Sequence, residues 1–123
     1  MRLKHFKISE FDSKDADGSG KGTGSKMQPC TLIMLDRARE IADIPFAVAS
    51  GYRTPSHNKK VGGVSNSAHT LGYAVDIRTT PATQQKVINA LREAGFKRIG
   101  IYRTFVHADN DPSKPSPATW KGK

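Results

Sequence analysis

The sequence predicts an α+β fold in which flanking helices cover a mostly antiparallel sheet. Three observations carry this. Two stretches place apolar residues at helical spacing, several short runs are rich in strand-forming residues, and two of those runs stand late in the chain with only Arg103 and Thr104 between them.

The elements follow in chain order. Residues 12–26 contain almost nothing that could enter a core and are expected to form a flexible loop. Asp12, Asp15 and Asp17 alternate as in a calcium loop, but the bidentate glutamate that closes such a loop is missing, so a plain surface loop is the better reading. Over residues 31–42, Leu32, Leu35, Ala38 and Ala42 recur at near-helical spacing, with Thr31 placed to cap the start and Pro45 to prevent continuation. Residues 46–49 are a short apolar run ending at Ser50-Gly51, which reads as a buried strand. Residues 51–72, rich in Gly, Ser, Asn and Pro, form a loop long enough to suggest function. Residues 73–78 read as a strand, with Ala74, Asp76 and Arg78 on one face and Val75 and Ile77 on the other. Over residues 83–94, Val87, Ile88, Leu91 and Ala94 form a helical stripe that stops at Gly95. Residues 98–102 and 105–109 make a hairpin. The tail from Asn110, interrupted by Pro112, Pro115 and Pro117, is expected to lie extended over the surface, pinned by Trp120.

A length of 123 residues suits a single domain over residues 1–123, and 36% hydrophobic with 25% charged residues suits a globular chain better than a disordered one. Cys30 is the only cysteine, which excludes an internal disulfide and a CxxC knuckle. Any metal must therefore be held by His, Asp or Glu. The net charge of +9 favours anionic partners, such as nucleic acid or a bacterial envelope. The basic residues are dispersed, with small clusters at Lys59-Lys60 and Lys97-Arg98, and no aromatic-interleaved basic segment marks a nucleic-acid platform. A nucleic-acid partner is therefore not expected.

Of the four histidines, two have company. His69 stands seven residues before Asp76, with Gly72 between them to turn the backbone from loop into strand. A carboxylate in a run of Tyr, Ala, Val and Ile needs pairing or a metal if it is buried. His107 lies in a second strand that puts Phe105, His107 and Asp109 on one face. Two imidazoles and a carboxylate make the three-ligand set of a catalytic zinc, with a fourth position left for water.

The run Ser67-x-His69-x-x-Gly72-x-Ala74-x-Asp76, the upstream Ser50-Gly51-Tyr52-Arg53 and the late Phe105-Val106-His107 resemble the zinc D-Ala-D-Ala carboxypeptidase family. That family includes cell-wall carboxypeptidases, vancomycin-resistance dipeptidases and phage endolysins that act as L-Ala-D-Glu endopeptidases; the hedgehog signalling domain shares its fold. The likeness extends through Thr54-Pro55-Ser56-His57-Asn58 and Val61-Gly62-Gly63 and spans residues 30–109. It implies a hedgehog-type fold, zinc on His69, Asp76 and His107, and an Arg53 that reaches the substrate. A guanidinium there can grip a peptide carboxylate or stabilise a developing oxyanion. Ser67 is expected to bond substrate or to stabilise the turn before His69, and His57 to brace the loop or touch substrate.

The implied activity is hydrolysis of peptidoglycan stem peptides by a monomer resembling a single-domain phage endolysin. No apolar run reaches the roughly 18–20 residues of a membrane span, and residues 1–7 lack the apolar stretch of a secretory signal, so synthesis in the cytoplasm and action on the wall after release are expected.

One part of the pattern departs from the family. Amide hydrolysis needs a group to move a proton from water to the leaving amine, and many relatives carry an acid three positions, or a histidine two positions, before the last zinc histidine. Thr104 and Phe105 stand there instead. Asp109 is the best substitute, its other reading being a partner that fixes the tautomer of a ligand histidine. That departure keeps open a zinc-retaining wall-binding module without hydrolysis.

Overall fold

The computed structural model describes residues 2–123; Met1, which the one-domain expectation includes, lies outside the described residues. The main elements are α1 (Pro29–Ala42), β1 (Val48–Ser50), α2 (Pro55–Lys60), β2 (Ala74–Arg78), α3 (Gln84–Ala94), β3 (Arg98–Ile101), β4 (Phe105–Asp109) and β5 (Ala118–Lys121). The strands form one sheet in the order β1-β2-β4-β3-β5. Every neighbouring pair is antiparallel except β3 with β5. The α+β expectation and the mostly antiparallel sheet both hold.

Pleat alternation sorts the strand residues. Val75, Ile77, Ile99, Val106 and Ala108 turn to one face, where Leu32, Leu35 and Ala38 of α1 and Val87, Ile88 and Leu91 of α3 join them in a single buried cluster. Gly95 ends α3 in a left-handed conformation, as expected of a helix terminus. The opposite face of the same strands carries the polar residues.

Several sequence expectations need correction. Helix α1 starts at Pro29 with Gln28 as its cap, so Thr31 does not cap it. Proline at the first position is compatible with the free amides of a helix start, and Thr31 is instead buried, its hydroxyl donating to Asn110 Oδ1 at 2.5 Å. Strand β1 is displaced to Val48–Ser50, because Phe46 turns into the core before the ladder begins. The stretch 51–72 is not all loop: it contains α2 and a 3-10 turn, Ala68–Leu71. The Thr54 hydroxyl accepts from His57 N, and Pro55 follows as the first helical residue, a local start signal.

Residues 12–26 form a hydrogen-bonded turn assembly, not a flexible loop. The Asp12 carboxylate accepts from the backbone N–H groups of Gly22 and Gly24, and Ser13 N donates to Thr23 Oγ1. The acidic and hydroxyl side chains thus satisfy amides that the glycines present. The assembly is tied to the start of α2, since Thr54 Oγ1 donates to Asp15 Oδ2 at 2.7 Å and Thr54 N donates to Ser13 Oγ. The tail is also more than a surface strap. After Asp111 is fixed by Ser113 and Lys114, the chain adds β5 to the sheet edge beside β3.

Candidate metal centre

Register brings the site together. Ser50 on β1 opposes Asp76, Asp76 opposes His107 on β4, His107 opposes Gly100 on β3, and Gly100 opposes Trp120 on β5. One row of partners therefore crosses all five strands on the face away from the helices. A second row sets Asp109 between Ala74 and Arg98.

His69 arrives from outside the sheet. Ser67 caps the turn Ala68–Leu71 by accepting from His69 N, and Gly72, at φ 80°, returns the chain to β2 through a conformation that favours glycine. The resulting short path fixes His69 beside Asp76. Its Nδ1–H donates to the Gly51 carbonyl at 2.8 Å, which turns Nε2 toward Asp76 Oδ1, 3.3 Å away. His107 is held from the other side: Nε2–H donates to Asp109 Oδ2 at 2.7 Å, and Nδ1 lies 2.9 Å from Asp76 Oδ1. One ligand atom from each of His69, Asp76 and His107 lies within 4.8 Å of the others.

Charge is balanced around the buried Asp76. Burial opposes its ionisation, yet hydrogen bonds from His107 and His69 outweigh that and hold the carboxyl well below the usual carboxylate range. For His107, burial disfavours the charged ring, but Asp109 and then Asp76 raise its pKa to about 8.

Arg53 contributes three N–H groups: Nε to Ser50 Oγ at 3.1 Å, Nη1 to Asn58 Oδ1 at 3.2 Å and Nη2 to Asp76 Oδ2 at 3.3 Å. Of the five donors on a guanidinium, the rest are not engaged by these partners. Asn58 is itself fixed by donating to the Val64 carbonyl.

The structure thus unites His69, Asp76, His107, Arg53 and Asp109, and places Ser67 directly beneath the His69 backbone. His57 stands apart. It lines a separate recess of about 140 Å³ with Asp15, Asp17, Ser56 and Lys60. Asp109 is almost fully buried, with Oδ2 on His107 Nε2 and Oδ1 accepting from Arg98 Nε at 2.9 Å. It stands behind the His107 ring, on the side opposite Nδ1. Sequence reasoning missed Ser50, the Gly51 carbonyl, Asn58 and Arg98. Arg98 had a signal: aligning the late hairpin places it directly across from Asp109.

The donor set suits zinc on chemical grounds. Two nitrogens and one carboxylate oxygen match the three protein ligands of an open zinc site, and each imidazole has its remote nitrogen held by an acceptor, which fixes the tautomer that exposes the inner one.

The Peptidase M15 family model matches residues 4–109. The zinc D-Ala-D-Ala carboxypeptidase of Streptomyces albus G is 30% identical over 100 residues, which is 77% of this chain and 39% of the relative, so the chain spans well under half of that protein's length. The crystal structure of the Serratia marcescens L-Ala D-Glu endopeptidase shares the fold, with a TM-score of 0.54 at 18% identity over 69% of this chain and 80% of that one. The matched residues include His69, Asp76 and His107 together with the strands β2 and β4, and the chain belongs to the peptidase M15 family.

Proposed function

We propose that this chain is a zinc peptidase that hydrolyses stem peptides of bacterial peptidoglycan. The observation that carries the reading is the convergence of His69 Nε2, Asp76 Oδ1 and His107 Nδ1 with the outer nitrogen of each imidazole already engaged. The substrate class is carried over from the names of the relatives. The chemistry that a zinc ion supplies in such a site is Lewis acidity toward a peptide carbonyl and toward water.

The chain's own residues divide the remaining work. Gly51 and Asp109 hold the two imidazoles in the ligating tautomer. Arg53 holds Asp76 Oδ2, so that Oδ1 faces the imidazoles, and its free N–H groups are available to a substrate carboxylate or a developing oxyanion. Asp109 is a positioning residue in this reading, not the base, because both its oxygens are engaged behind His107. Ser67 supports the turn that presents His69, and His57 serves the outer recess. The single core cluster supports treating the chain as one catalytic unit.

Mass analysis of muropeptides after incubation with the zinc-loaded protein tests the proposal. Loss of a terminal D-Ala identifies a carboxypeptidase, a break between L-Ala and D-Glu identifies an endopeptidase, and unchanged muropeptides overturn the enzymatic reading. A second reading, a zinc-retaining wall-binding module, is favoured by Phe105, which stacks on Tyr102 with centroids 4.4 Å apart where a proton-transfer group stands in many relatives. Zinc-dependent sedimentation with purified wall and no release of new amino groups would support that alternative.

A further inference from the structure

Strand β5 lies beyond residue 109, where the family match ends, yet it delivers a side chain to the metal row. We infer that Trp120 is a positioning residue of the metal centre, clamping His107 and the Arg98–Asp109 pair from the open edge of the sheet. This rests on the zinc site proposed above.

Four contacts place the indole. Its ring lies 5.5 Å from the His107 ring, centroid to centroid, at 45°. The Arg98 guanidinium carbon is 5.1 Å from the indole centroid, an arrangement favourable for a cation against an aromatic face. Trp120 Nε1–H donates to Tyr102 Oη at 3.0 Å, and Tyr102 is itself stacked on Phe105. Beneath the indole is Gly100, the cross-strand partner of both His107 and Trp120, where a Cβ would come within 2.6 Å of Nε1. Only a residue without a side chain lets the ring lie across the row at this depth.

The indole therefore touches both groups that engage Asp109. His107 Nε2–H donates to Asp109 Oδ2, and Arg98 Nε donates to Asp109 Oδ1. Packing against both restricts rotation of the His107 ring and keeps water from the Asp109 bonds, so that Nδ1 stays aimed at Asp76. Loss of an outer partner of a metal-ligating histidine lowers metal affinity by about 10–100-fold, and an indole that holds such a partner should act in the same direction.

The test uses the full chain and zinc alone, measured by competition with a chelating dye alongside thermal melting. Trp120→Ala should weaken zinc binding by about tenfold, the lower end of that range. Trp120→Phe, which keeps an aromatic wall, should recover most of the affinity. Gly100→Ala should weaken zinc binding while leaving the indole in the chain, and it carries the test if Trp120→Ala does not fold. Trp120 is the only tryptophan, so its emission in the unaltered protein should change on zinc addition and saturate with the binding curve. Unchanged emission at saturating zinc would overturn the inference, as would Trp120→Ala or Gly100→Ala proteins that melt earlier but bind zinc like the parent. Muropeptide hydrolysis by the parent bears on the proposed function and not on this clamp, so the two can fail separately.

Discussion

On the helix side of the sheet, Val75, Ile77, Ile99, Val106 and Ala108 meet α1 and α3 in an apolar layer with no directional bonds. On the other side, the same strands carry Asp76, His107, Asp109 and Arg98, each joined to the next by hydrogen bonds. The apolar layer gains from area and shape, so loss of one member leaves a local cavity while no polar group is stranded. The polar row behaves as a connected network, in which removing one member leaves its partners buried and unsatisfied. The first layer holds the fold; the second holds a geometry.

The largest expected effect separates the two faces outright. His69→Ala should remove bound zinc and hydrolysis while the circular dichroism spectrum stays that of the parent. Retention of one zinc equivalent by elemental analysis would break the ligand assignment. Leu91→Ala, in the apolar layer, should cost about 2–5 kcal/mol in urea unfolding and leave zinc stoichiometry intact in the absence of denaturant. Zinc loss without unfolding would show that the faces are not separable. Asp109→Ala sharpens the polar side further: it should weaken zinc binding about 10–100-fold, whereas a base would leave affinity unchanged and lower only kcat.

The smallest effect lies outside both faces. Hydrogen bonds from Ser13 and then Thr54 hold the Asp15 carboxyl below its ordinary range. A carboxyl lowered in the folded state stabilises it at pH values above the unfolded pKa, and that contribution disappears as the pH falls through the folded value. Asp15→Asn should thus lower the melting temperature slightly at neutral pH, and the difference from the parent should vanish in acid. A difference that persists there would assign the role of Asp15 to shape alone.

Much of this division was legible in the sequence. Strand alternation put Asp76 opposite in sense to Val75 and Ile77, and His107 and Asp109 on one face of the late hairpin. The motif containing His69 supplied the third ligand. Nonlocal pairing was harder to read. Nothing near Ala118–Lys121 announces that it will pair parallel with β3, since the pairing is made across a proline-rich stretch that resembles a surface strap. Residues 12–26 misled because their composition says flexible, while their order is set by particular carboxylate-to-amide bonds. Asp109 could be placed on the right strand from the sequence, but only the ring nitrogen that it meets distinguishes a brace from a base.

The five-strand row from Ser50 to Trp120 also makes the site sensitive to parity. Deleting Phe105 from β4, with the rest of the ladder kept in place, would exchange odd and even positions, sending Val106 and Ala108 outward and His107 and Asp109 toward the helices. Chain length ahead of His107 is therefore fixed on two counts: losing one residue turns the ring to the wrong face, and losing two restores the face but moves the ring from across Asp76 to across Arg78, so both deletions should abolish metal binding.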